Sequence, residues 1–84
     1  MTPNAAQRTA IDAGLLPMWV IYDHPTDYPH GFIARMHVVG KVVGPTTAYV
    51  TGATLDEVRQ QLPKGLYCIG RQDGDEPQIF EVWT

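Results

Sequence analysis

Residues 18–23 read Met-Trp-Val-Ile-Tyr-Asp. Trp, Val, Ile and Tyr favour extended backbone, and Pro17 just before them disfavours helix. Apolar residues fall on both sides of the two-residue strand repeat, which predicts an interior strand or one covered on both faces. Residues 32–39 alternate more cleanly, with Phe32, Ala34, Met36 and Val38 on one face and Ile33, Arg35, His37 and Val39 on the other. That pattern gives a core face opposite a mixed, wet face. Gly40, Gly44 and Pro45 mark turns, and 47–51 reads as a short third strand.

A change of period follows. Leu55, Val58 and Leu62 recur at spacings of three and four, which predicts a helix over 55–62 with one apolar stripe. Thr54 and Glu57 have capping-box spacing, Asp56 and Glu57 suit the positive helix start, and Pro63 and Gly65 end it. Residues 66–69 and 78–83 read as two further strands, with the Asp73-Gly74 turn signal between them. Near the start, Thr2-Pro3 supplies a cap and a first helical position, and Ala5, Ala6 and Ala10 favour helix. This part has few large apolar residues, so 1–16 is expected as a short helix or a loosely ordered arm. The fold class is α+β: a mainly antiparallel sheet of about five strands, with the 55–62 helix packed on its Phe32/Met36 face.

Length sets the scale of this picture. Eighty-four residues make a single domain over 1–84, with a thin core in which each large side chain counts. Trp19 and Trp83 are expected in that core, although an uncovered apolar sheet face would let them seal a homodimer instead. The net charge of -3 argues against non-specific nucleic-acid binding, and the six basic residues form no run. Cys68 is the lone cysteine, which excludes an internal disulfide and a multi-cysteine zinc site and fits a reducing cytoplasm. In the middle of its expected strand it reads as a small buried hydrophobe. Residues 1–7 lack the basic start and apolar stretch of a signal peptide, and no apolar run approaches the ~20 residues of a membrane helix.

Candidate chemistry falls in two places. The loop from Asp23 to His30 gathers Asp23, His24, Asp27 and His30, ligand types for a divalent metal, although the six-residue His spacing matches no standard zinc motif. The plainer reading is a loop stiffened by Pro25 and Pro29, with Tyr28 covering the core edge. The same imidazoles and carboxylates could serve a small hydrolase-like enzyme, but no nucleophile elbow, metalloprotease helix or phosphate loop is present. Second, Arg35, His37 and Lys41 are expected on one side of the second strand. There they form a stripe for a phosphate, a nucleic acid or an acidic partner, or a solvated face paired with Glu81. Alternation puts Ile79, Glu81 and Trp83 together, so the ring expected beside these charges, and able to stack on a base, is Trp83 or Tyr67.

The segment Trp19-Val-Ile-Tyr-Asp-His-Pro-Thr-Asp-Tyr-Pro-His-Gly-Phe-Ile-Ala-Arg35 resembles one found in small uncharacterised bacterial and phage-borne proteins. The later acidic helix start and Leu-Pro stop are similar as well. The resemblance implies only a bacterial or phage source, and it carries over no catalytic residue. The residues themselves lead to a small non-enzymatic binding or protein-interaction module with no cofactor. The rivals are a metal-binding or hydrolytic protein centred on 23–30 and a nucleic-acid-associated protein.

Overall fold

The fold, taken from a computed structural model that describes residues 2–26, 28–69 and 79–84, runs α1 (Pro3–Asp12), β1 (Leu16–Asp23), β2 (Phe32–Val39), β3 (Gly44–Gly52), α2 (Leu55–Gln61) and β4 (Ile79–Trp83). The four strands form one antiparallel sheet in the order β3-β2-β1-β4. β1 and β2 are joined by a full ladder from Leu16 opposite Val39 to Asp23 opposite Phe32. No helix of the described residues is long and apolar enough to cross a membrane.

One face of the sheet carries the core. Trp19 and Ile21 of β1 pair with Met36 and Ala34 of β2, and all four are buried together with Val38 and Val50. Both helices cover this face: Ala6 and Ala10 of α1, and Val58 with Leu62 at the end of α2, belong to the same cluster. β1 is thus the doubly apolar strand that its sequence predicts, and the Ala34/Met36/Val38 face is the covered one.

The caps follow the sequence closely. Thr54 accepts from the Glu57 N–H at 3.2 Å, while Glu57 reaches back to the Ala53 N–H at 2.8 Å. Gly52 lets β3 approach this first turn, since a Cβ there would lie 2.8 Å from the Glu57 Cβ. Thr2 caps α1 by accepting from the Ala5 N–H at 3.1 Å.

Of the two states expected for 1–16, the helix is the one formed: α1 is ten residues long and docked. Its small residues are the means of docking, because Ala6 and Ala10 bring the helix backbone close to the core. Gln7 then accepts from the Trp19 indole N–H at 2.8 Å. Three expectations need correction, the first being strand number: among the described residues the sheet has four strands rather than about five. Residues 66–69 contribute only an isolated bridge, Cys68 to Trp83, with Tyr67–Thr84 and Ile69–Val82 backbone bonds at 2.9–3.0 Å. This contact is too short to repeat a ladder, so it trims the outer edge of β4. Cys68 is exposed there rather than buried. The start of the expected strand at Gln78 and the Asp73-Gly74 turn lie outside the described residues.

Glu81 is the third correction. It faces the helices and not Arg35, because the β1–β4 register sets it opposite Ile21, on the core side. A register shift between Ile21 and Tyr22 then sends Ile79 opposite Tyr22, on the other face. Arg59 of α2 binds the nearly buried Glu81 carboxylate through both Nε, at 3.0 Å, and Nη2, and the Trp83 indole donates to it at 3.0 Å. This two-pronged ion pair ties α2 to the sheet edge.

Two outcomes follow. Trp19 is fully buried, so Gln7→Ala strands its indole N–H and is expected to cost about 1–3 kcal/mol in urea unfolding. A loss below a few tenths would show that the bond does not matter. The Glu81 carboxyl is held below its ordinary 4.5, chiefly by the hydrogen bond from Arg59 and despite opposing burial. A lowered folded value means stability that is full above pH 4.5 and lost as pH falls through the folded value. Glu81→Gln is therefore expected to be less stable than the parent at neutral pH, and the gap should narrow in acid. A gap that is constant with pH would rule out this linkage.

Candidate functional site

The second face of the sheet is the candidate. Alternation places Met18, Val20 and Tyr22 of β1, Ile33, Arg35, His37 and Val39 of β2, and Tyr49 and Thr51 of β3 on the side away from both helices. Among the described residues no helix or strand covers this face. Val20 and Ile33 are buried within it, whereas Tyr49 is 56% exposed.

Two pairs of rings and cations stand on it. The Arg35 guanidinium lies over the Tyr49 ring, 5.2 Å from its centroid, because the β2–β3 register sets these residues opposite each other. Arg35 also donates through Nη1 to the Thr46 carbonyl at 2.9 Å, across the bulge where β2 and β3 shift register. Beside it, the Tyr22 hydroxyl and His37 Nε2 are 3.1 Å apart. Burial lowers the pKa of His37 below 6.5, and the nearby Arg35 charge lowers it further. At neutral pH the imidazole is therefore uncharged, and the fixed positive charge of this stripe is Arg35. Lys41 is not on the strand: β2 ends at Val39, and Lys41 is exposed in the turn that follows.

Two hollows flank these pairs. One, of about 360 Å³, is lined by Tyr28, Ile33, Arg35, Tyr49 and Thr51. The other, of about 230 Å³, is nearly all apolar, with Met18, Val20, Val43 and Val82 around Tyr22 and His37. Val43 is 74% exposed at its rim.

The face carries no side-chain carboxylate among the described residues. Asp23 shares the Phe32 side of the β1–β2 ladder, Glu81 faces α2, and Asp12, Asp56 and Glu57 lie on the helices. The sequence pointed to Arg35 and His37 on a common face but missed Tyr22, Tyr28 and Tyr49. The register that brings Tyr49 to Arg35 passes through a bulge, which alternation within one strand does not reveal.

The 23–30 loop is organised differently. His24 Nδ1 contacts the Asp23 carboxylate, and the His24 ring packs edge-on against Phe32, 5.4 Å between centroids. His24 has φ +49, so the loop turns sharply at this residue. His30 does not join the pair: among the described residues, no three His, Cys, Asp or Glu side chains gather as a metal site. Asp27 lies outside the described residues. The structure therefore brings Asp23 and His24 together but leaves them as a half-exposed pair beside a ring. Trp19 is buried and Trp83 packs against the core, both on the covered side, so neither is available to seal a dimer through the open face.

Comparison with protein-family models, curated proteins and solved structures finds no match to this chain.

The His37 ring offers a direct check on the electrostatics of the face. A lowered folded pKa means that the folded state takes up its proton less readily, so this group's contribution to stability falls as pH drops below 6.5 toward the folded value. In an NMR titration His37 should titrate below 6.5. Arg35→Gln should raise the midpoint without restoring it fully, because burial is the larger cause. An unchanged midpoint would mean that Arg35 is too well screened to act.

Proposed function

We propose that this chain is a small non-enzymatic binding module that presents its open sheet face to a partner. One observation carries the reading: both helices are committed to one face of the sheet, and the other displays Tyr22, His37, Arg35 and Tyr49 around two hollows. Exposed rings and an Arg beside apolar floor are the residue types that dominate binding energy at interfaces. The Asp23–His24 pair lies on the loop outside both hollows, which favours a turn-fixing role.

The reading predicts that binding follows the open face. Affinity capture with the purified chain should lose its specific partner when Val43→Lys places a charge at the rim of the apolar hollow. Lys64→Glu, on the helix side, should retain it. Both variants should keep the parent's melting temperature, because Val43 and Lys64 are exposed. Capture that survives Val43→Lys and Tyr49→Ala alike would place the binding surface elsewhere.

A further inference from the structure

Building on the open-face reading above, we infer that the hollow between Tyr28, Arg35 and Tyr49 receives a base of single-stranded nucleic acid, with Arg35 serving the adjoining phosphate. Its volume of about 360 Å³ falls in the range of small-ligand sites. Its walls combine two phenol rings and a guanidinium, the side chains on which bases stack. Arg35 spends one Nη1 bond on the Thr46 carbonyl. A guanidinium has about five N–H donors, so several remain for phosphate oxygens.

Charge complementarity selects the occupant. The whole chain is acidic, yet among the described residues the open face holds Arg35 and no side-chain carboxylate, with Lys41 exposed in the turn beyond β2. A phosphate chain meets attraction there. An acidic peptide would meet the same attraction but would leave the two flat rings without a stacking partner. The second pair extends the site. Tyr22 stands opposite Ile33 and Tyr49 opposite Arg35, so the two tyrosines are two strands apart and two residues along. Strand spacings put their backbones roughly 12 Å from each other. A run of nucleotides can bridge that gap, and a single one cannot. In a duplex the bases are already stacked and paired, so they cannot enter the hollow.

The electrostatic share is small. With Arg35 and Lys41 as the available cations, about two phosphates are neutralised, and log K should fall with log salt at a slope of about -1.4. Most of the affinity then comes from stacking and tolerates sequence, since every base has a π face.

The test is fluorescence anisotropy of labelled octamers of uridine and of deoxythymidine, titrated with the intact chain at two salt concentrations. Saturable binding with the shallow slope is expected, and Tyr49→Ala should weaken it about tenfold or more. Tyr49→Phe keeps the ring and should keep the affinity. Arg35→Gln should weaken binding and flatten the slope by about 0.7, and Lys64→Glu should change nothing. No anisotropy change up to about 1 mM protein overturns the proposal. If the oligomers fail to bind while Val43→Lys still abolishes capture of a protein partner, the nucleic-acid ligand falls and the open-face reading stands. Oligomers that bind equally to the parent, Tyr49→Ala and Arg35→Gln overturn the nucleic-acid site, and the open-face reading then falls only if capture also survives Val43→Lys and Tyr49→Ala.

Discussion

Everything in this molecule depends on two short helices sharing one face of the sheet around Trp19. Four strands spaced by about 4.8 Å make a sheet roughly 19 Å wide across the strands, and a helix with its side chains is about 10 Å across. Helices of ten and seven residues can therefore cover one face and no more. Trp19 and Ile21 are fully buried beneath them, and the Arg59–Glu81 pair fixes α2 where the sheet ends. The choice of covered face also decides which side chains are left to meet something else.

The uncovered face is not simply a polar surface. Val20, Ile33 and Val82 are each less than a tenth exposed, so its floor is packed like an interior. In register, Val20 lies between Arg35 and Val82, and larger side chains flank the aliphatic floor. Amphipathic groups such as Arg and Tyr shield apolar surface with their stems and rings while their polar ends stay wet. The same residues that finish the fold on this side are thus those that a ligand would touch first.

Much of this was legible along the chain, for reasons that differ by element. The alternation in 32–39 identified both faces of β2, because strand period is fixed by backbone geometry. The Thr54/Glu57 cap located α2, because capping is local chemistry. The start of α1 was legible in Thr2-Pro3, but its docking was not: packing through Ala6 and Ala10 leaves no large apolar stripe, so close approach looked like weak core. Glu81 was assigned to the wrong partner for a different reason. Its face depends on the register of β4 against β1, and a shift at Ile21/Tyr22 separates Ile79 from Glu81. For the candidate site, Arg35 and His37 could be read within one strand. The rings beside them come from β1 and β3, and only the three-dimensional register joins them.

The partition of charge bears most directly on function. A net charge of -3 describes the chain as a whole, but a ligand meets only one face of it. Here the described carboxylates sit on the helix layer or at the end of β1, where Glu81 is consumed by Arg59 and Asp23 by His24. Among the described residues Arg35 has no carboxylate partner. Its contacts are a carbonyl and a ring, both neutral, so its charge is not cancelled within the described structure. Burial and Arg35 together keep His37 uncharged near neutrality, so the imidazole adds no charge to the face. A single uncancelled cation among rings is poorly suited to holding a long polyanion by charge alone. It is well suited to orienting one flat, charged unit of a longer ligand whose binding comes mainly from contact area.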